Sequence, residues 1–242
     1  MNRRPRFCLL LILFALTTWS PAATPDYVPM KVIQTDEVQF PRRAIEVGIT
    51  SGEVRVSIQI DETGKLTDHL LTAYTHRALA DSAVQALKRW KFEPAWVRGE
   101  PRSATVELVF LFENRGLVVV DLNAHSYAQL RDVQLRPGAY GYGARTLRQL
   151  DRIPTPAKVV EPVYPAEAAQ KQQSAVVTVF FYIDEQGHVR MPAVSRQIGE
   201  TDDAFAAAAV EAVSQWQFEP PLSRGQPVLV AARQDFKFQP GR

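Results

Sequence analysis

Cysteine is nearly absent: the 242 residues hold one, Cys8, along with three methionines and four histidines. Cys8 lies inside an apolar N-terminal run with no small-residue lipobox leading into it. Removal of that run leaves a chain with no disulfide, no cysteine nucleophile and no thiolate metal site. His69, His76, His125 and His188 are scattered, without the HExxH or paired spacing that a zinc site needs. Neither a Gly-x-Ser-x-Gly elbow nor a phosphate loop occurs, and Gly141-Tyr142-Gly143 lacks the strand–helix setting of dinucleotide binding. The adjacent acids Asp61-Glu62 and Asp184-Glu185 sit on hairpin tips, where neighbouring side chains point apart into solvent. No enzyme, cofactor or metal is expected.

A surplus of positive charge is lacking too. The chain has 28 Lys and Arg against 26 Asp and Glu. Arg3, Arg4 and Arg6 fall in the first 23 residues, which hold no acid, so the remainder carries no basic field for nucleic acid. Long apolar runs are also missing. Residues 7–19 are shorter than the ~20 that span a bilayer. With arginines ahead and Ser20-Pro21-Ala22-Ala23 behind, residues 1–23 read as a secretory signal cleaved after Ala23. The rival is an inner-membrane anchor formed by residues 7–19. Membrane contact is expected only if that segment stays uncleaved.

What the sequence does hold is a duplication. Trp90-Lys91-Phe92-Glu93-Pro94 returns as Trp216-Gln217-Phe218-Glu219-Pro220. Each copy is followed by Arg-Gly-x-Pro, at Arg98–Pro101 and Arg224–Pro227. The spacing suits two tandem domains better than a solenoid. Upstream, Phe40-Pro41 and Tyr164-Pro165 each open a short helix, at 42–47 and 166–171. Gly48 ends the first; Gln172 is a poorer stop for the second.

Val54, Val56, Ile58 and Ile60 alternate with polar residues, the period of a half-buried antiparallel strand. Val177, Val179, Phe181 and Ile183 repeat them. Asp61…Gly64 and Asp184…Gly187 then turn hairpins into returning strands at 65–74 and 188–195. Helices follow with stripes Leu79, Ala83, Ala86, Leu87, Trp90 and Phe205, Ala209, Ala212, Val213, Trp216. Asp202 is a fair N-cap for the second, and three extra residues are placed in its loop at 196–203. Last strands at 105–112 and 229–238 put Val106, Leu108, Phe110 and Phe112, or Ala232, Phe236 and Phe238, inward. The greasy outer face of Val176, Phe180 and Tyr182 suits helix cover or domain packing better than a ligand platform.

The expected fold is therefore α+β: two small domains, each a three-stranded antiparallel sheet with helices on one face. The expected boundaries are 26–113 and 151–242, joined by a linker at 114–150. Residues 117–122 could add a strand, and Pro137 to Gly143 reads as flexible connection.

The order aromatic-Pro-x-x-Ala, strand, Asp-x-x-Gly, strand, helix ending Trp-x-Phe-x-Pro, then Gly-x-Pro and a final strand resembles the TonB C-terminal domain. Phe40-Pro41…Ala44, Asp61…Gly64 and Trp90…Pro94 carry it in the first copy. Tyr164-Pro165…Ala168, Asp184…Gly187 and Trp216…Pro220 carry it in the second. The resemblance implies a periplasmic protein-binding module, linked to TonB-dependent transport. In the family an extended segment of an outer-membrane transporter, the Ton box, adds to a sheet edge.

The implied edge is the last strand of each copy. Its outward residues are Thr105, Glu107, Val109 and Leu111 in the first; they are Leu229, Ala231, Arg233, Asp235 and Lys237 in the second. A full transducer also has an anchor with a motor-coupling histidine and a long Pro-rich spacer. Here the apolar segment has no histidine, and only Ser20 to Pro25 separate it from the first repeat, roughly 20 Å of reach. The expectation is a detached two-headed protein whose partner is an extended segment of an envelope protein. The alternative is a structural envelope protein whose domains pack on each other or dimerise through the same edges, without a transient peptide ligand; the greasy face of 176–182 motivates it.

Overall fold

The computed structural model describes residues 27–114, 117–121, 140–199 and 203–240. The expected signal sequence, Asp202 and residues 122–139 of the expected linker lie outside them. In chain order the first unit contains β1 (Tyr27–Val28), β2 (Lys31–Gln34), α1 (Arg42–Glu46), β3 (Ser51–Ile60), β4 (Leu66–Tyr74) and α2 (Arg77–Leu87). It continues with β5 (Lys91–Glu93), β6 (Ala95–Val97), β7 (Glu100–Arg102) and β8 (Ala104–Glu113). Between the units come β9 (Leu117–Asp121), β10 (Tyr142–Gly143), β11 (Arg145–Thr146) and a 3-10 turn at Leu147–Gln149. The second unit holds β12 (Pro156–Lys158), α3 (Ala166–Gln170), β13 (Ala175–Ile183), β14 (Val189–Gly199) and α4 (Asp203–Ser214). It ends with β15 (Gln217–Phe218), β16 (Leu222–Ser223), β17 (Gln226–Pro227) and β18 (Val230–Phe238).

The α+β class and the antiparallel pairing match the sequence expectation; the strand count does not. The main sheets have five strands, β10-β4-β3-β8-β9, and four, β11-β18-β13-β14. Three antiparallel strands form the body of each, β4-β3-β8 and β14-β13-β18, and the additional ones come from the segment between the units. Alternation along a strand registers burial, so it found the middle strands. β10 and β11 have two residues each and carry no periodicity to read.

Each sheet buries one face under helices. Val54, Val56, Ile58 and Ile60 of β3 pack with Val106, Leu108, Phe110 and Phe112 of β8 and with Leu79, Ala83 and Leu87 of α2. Val177, Val179, Phe181 and Ile183 of β13 do the same with Phe205, Ala209 and Val213 of α4.

The repeated motifs hold these layers together by touching one another. A Cβ on Gly64 would lie 2.4 Å from the Phe92 carbonyl oxygen, and one on Gly187 2.0 Å from that of Phe218. Both glycines also have positive φ, at 84° and 89°. The Asp-x-x-Gly turn thus needs glycine twice over, for its backbone and for the passing Trp-x-Phe strand. Each Trp lies just past its helix, its backbone N–H bonded to Leu87 or Val213. Its indole N–H donates to a carbonyl of the segment entering the unit, Asp36 at 3.0 Å for Trp90 and Val160 at 2.8 Å for Trp216.

Arg98-Gly99 and Arg224-Gly225 all have positive φ (51°, 82°, 52° and 73°), the requirement of a tight hairpin turn, here joining β6 to β7 and β16 to β17. In the second unit Asp151 accepts from the N–H groups of Arg224 and Gly225 at 2.7 and 2.8 Å. Those bonds, Gly225 first, hold its carboxyl below the usual carboxylate range.

The extra length of the second copy goes partly into the sheet. The β13–β14 ladder runs on to Val176↔Ile198 and Ala175↔Gly199, whereas β3–β4 closes at Val54↔Tyr74. A bulge places Met191 at φ 52°, buried, beside Pro192.

The two units pack against each other. Tyr182, Met191 and Leu229 of the second form one apolar cluster with Leu70, Tyr142 and Ala144, and Phe180 packs on it. The domain-packing reading of the greasy face fits this arrangement. Tyr142, read from sequence as flexible connection, instead sits in β10, paired to β4. Its ring stacks on Tyr74 at 5.1 Å and 11°, and its hydroxyl donates to Glu185 at 2.7 Å. Burial, then that bond, push the phenol well above its usual pKa, so it stays protonated. Arg190 clasps Asp68 across the units at 2.7 and 3.2 Å; a third exposed, the pair adds little stability and mainly fixes orientation.

Trp90→Ala is expected to cost about 3–5 kcal/mol in urea unfolding, as for a buried aromatic. Trp216→Ala should cost less, because Trp216 is only half-buried; a loss under about 1 kcal/mol at Trp90 would place the core elsewhere. Gln172 holds the left-handed position after α3 (φ 51°) that Gly48 holds after α1 (φ 77°). Gln172→Gly should therefore stabilise the protein by about 0.5–1 kcal/mol, and a loss would contradict that.

Candidate functional site

The last strands are where the expected binding residues fall, and the two units treat them differently. The registers Val54↔Phe110 and Val177↔Phe236 make Phe236 the counterpart of Phe110, and so Asp235 to Gln239 that of Val109 to Glu113. In the first unit that stretch is already paired. β9 runs antiparallel along it, from Val109↔Asp121 to Glu113↔Leu117. Val109 and Leu111, expected on a free edge, are therefore inside the sheet. The extra strand at 117–121 agrees with the apolar run in the sequence, and its pairing partner is the last strand itself.

Glu107 also departs from expectation. It is buried, only 6% exposed, accepts from the Thr72 hydroxyl at 2.8 Å and lies 3.6 Å from Arg55. Burial beside a cation and a donor satisfies its charge. Thr105 is half-buried and, among the described residues, has β3 on one side only.

In the second unit β11 pairs in parallel with Val230 and Ala231 alone. Ala231 is thus covered. Leu229 lies before the strand, 1% exposed in the cluster between the units, its carbonyl accepting from Arg145 at 2.7 Å. Neither is on an open rim. From residue 232 to 238 no strand adjoins the outer side of β18 among the described residues. Arg233, Asp235 and Lys237 are exposed along it, with Asp235 accepting from the Thr178 hydroxyl at 2.7 Å.

A groove of about 440 Å3, lined by apolar residues together with Glu161, Gln234, Lys237 and Gln239, flanks this edge. Tyr164, Trp216, Phe236 and Phe238 form its aromatic side, and the extended stretch from Val159 to Pro162 forms its far wall. Val159 and the nearby Val163 are 54% and 80% exposed. Trp216 meets Phe236 edge-on at 5.7 Å, and Tyr164 meets Phe238 at 6.0 Å.

Sequence reasoning missed this groove, although one signal for it was present. Gln234 occupies the register position of Leu108, which is buried in the first unit. A glutamine there puts an exposed polar side chain at a middle position of the inner face, and Trp216 and Phe236 beside it are half-buried.

The described residues include no group of three or more His, Cys, Asp or Glu placed to hold a metal. No helix among them is long and apolar enough to cross a membrane.

The family model for the Gram-negative bacterial TonB protein C-terminal region matches residues 36–113 and 160–240, more than half of the chain. The chain belongs to the TonB C-terminal family. It carries two tandem copies of the domain, each match starting in the entering segment that holds the Trp indole and ending at the last strand. No curated protein matches the chain. Membership ties it to the cell envelope and to transport through a protein partner. Among the described residues, what separates the two TonB C-terminal units is the outer side of the last strand: paired with β9 over residues 109–113 in the first, without a strand over 232–238 beside an aromatic groove in the second.

Proposed function

We propose that this protein works in the periplasm as a TonB-like binding module whose second unit takes up an extended segment of an outer-membrane or envelope protein. The incoming strand adds to residues 232–238 of β18. Its backbone pairs with the N–H and C=O groups that β18 leaves unpaired, and alternate side chains enter the groove at Trp216 and Phe236. The observation that carries this reading is β9. The first unit already accepts a strand of five residues at the equivalent place, so the fold accommodates strand addition there. The first unit then serves as a packed platform, its edge occupied in cis and its face pressed on the second unit.

Family membership and the secretory character of residues 1–23 support the periplasmic placement. The structural alternative takes the greasy face of the second unit as a sign that the domains pack on each other or dimerise. That face packs against the first unit of the same chain, as the first form of the alternative expects, and the packing leaves residues 232–238 of β18 clear of any strand among the described residues.

Titration of the isotope-labelled mature protein with Ton-box-like peptides should shift amide signals along residues 232–238 and leave 109–113 in place. No shifts on β18 at millimolar peptide would overturn the proposal.

A further inference from the structure

Each unit has a second rim, on the strand that follows its first hairpin, and in the first unit that rim runs beside a charged groove. β10 pairs only with Tyr74 and Ala73 of β4, and Ala144 donates to the Thr72 carbonyl. From Leu71 back to Leu66 no strand adjoins the outer side of β4 among the described residues. A row of N–H and C=O groups therefore faces outward there. The two faces of this stretch meet different surroundings. Leu70 packs into the cluster between the units, and Asp68 holds Arg190 of the second unit. His69 and Leu71 stand opposite Ile58 and Val56, on the side of α2.

A groove of about 410 Å3 runs between them and that helix, walled by Arg77, Val84, Gln85 and Lys88. Its one acid, Asp81, is engaged by Arg77 at 2.9 Å. Lys88 is exposed, with no ion-pair partner among the described residues. Its field reaches the strand: burial first, then Lys88, hold His69 below its ordinary pKa.

The second copy shows that this charge is not a by-product of the fold. Its counterpart edge, β14, likewise has no strand on its outer side among the described residues. With Trp216 matching Trp90, the counterparts of Arg77, Gln85 and Lys88 are Asp203, Glu211 and Ser214, all exposed. The sign of the groove is thus reversed. β14 also carries two features that discourage pairing, the left-handed bulge at Met191 and Pro192, which has no N–H to offer. Over residues 66–71 β4 has neither a proline nor a left-handed residue.

We propose that the β4 edge of the first unit binds an extended protein segment with acidic residues at alternate positions. Its backbone pairs along Leu66 to Leu71, and its carboxylates lie in the groove toward Lys88 and Arg77. The proposal does not rest on the reading of β18, which concerns the other unit and the opposite rim of its sheet.

Three peptides test it by NMR titration of the labelled mature protein: a Val-Glu-Val-Glu-Val core, its lysine-for-glutamate version, and the acidic core N-methylated at every amide. The acidic peptide should shift amide signals at 66–71 together with 84–88. In low salt it should bind about fivefold or more tightly than the lysine peptide. The N-methylated peptide keeps the charge but has no backbone donors, and should lose most of the binding. Lys88→Glu should weaken the acidic peptide and Gln85→Lys tighten it, each by about threefold. Both positions are exposed, so the fold is retained.

Equal binding of the acidic and lysine peptides, shifts confined to α2, or binding retained after N-methylation would overturn the proposal, as would silence at 66–71. An acidic peptide that shifts only 232–238 would overturn it and leave strand binding at β18 standing. Salt-sensitive, concentration-dependent broadening at 66–71 without peptide would make a second copy the occupant, through Asp203 and Glu211, and would overturn it too.

Discussion

A β-sheet ends in two strands whose outward N–H and C=O groups have no partner within the sheet, and the rest of the molecule is arranged around what meets them. The duplicated unit brings four such edges from its middle strands. The segment between the copies meets three of them, at least in part. β10 pairs with β4, β9 with the end of β8, and β11 with the start of β18. The same stretch supplies Tyr142, stacked on Tyr74 and bonded to Glu185 of the second unit. It therefore stitches the copies together while covering their rims.

This division of labour gives the two copies different parts in one molecule. Covered over the end of its last strand and packed through its outer face, the first copy buries the strand's Glu107 with Thr72 and Arg55. The second copy keeps solvent-facing charges on β18 and aromatic rings only half-buried beside it. One polar residue at an inner register position, Gln234 in place of Leu108, is part of that difference. It withholds an apolar side chain where the inner face meets the edge.

Much of this was legible in the sequence because it rests on local rules. Alternation along 54–60 and 177–183 located β3 and β13. The helical stripes located α2 and α4, and the glycines at 64 and 187 marked turns that tolerate no other residue. Other features depend on partners distant in the chain. The burial of Glu107 and Leu229 comes from groups elsewhere in the fold, and outward alternation alone placed both on a solvated rim. The left-handed backbone at Gln172 is imposed by the duplicated architecture against local preference. The pairing of β10 and β11 follows from the docking of the units, which no single-segment pattern encodes. The groove was within reach, since Gln234 breaks a pattern that Val106, Leu108, Phe110 and Phe112 keep.

The most direct test of the central claim is amide hydrogen exchange along both last strands of the unliganded mature protein. Residues 109–113, bonded on both sides, should be protected along the whole stretch. The outward amides of 232–238 should exchange orders of magnitude faster and become protected when a strand-forming peptide is added. Protection of 232–238 as strong as that of 109–113 before any peptide is present would mean that this edge is already filled, and the account would be contradicted.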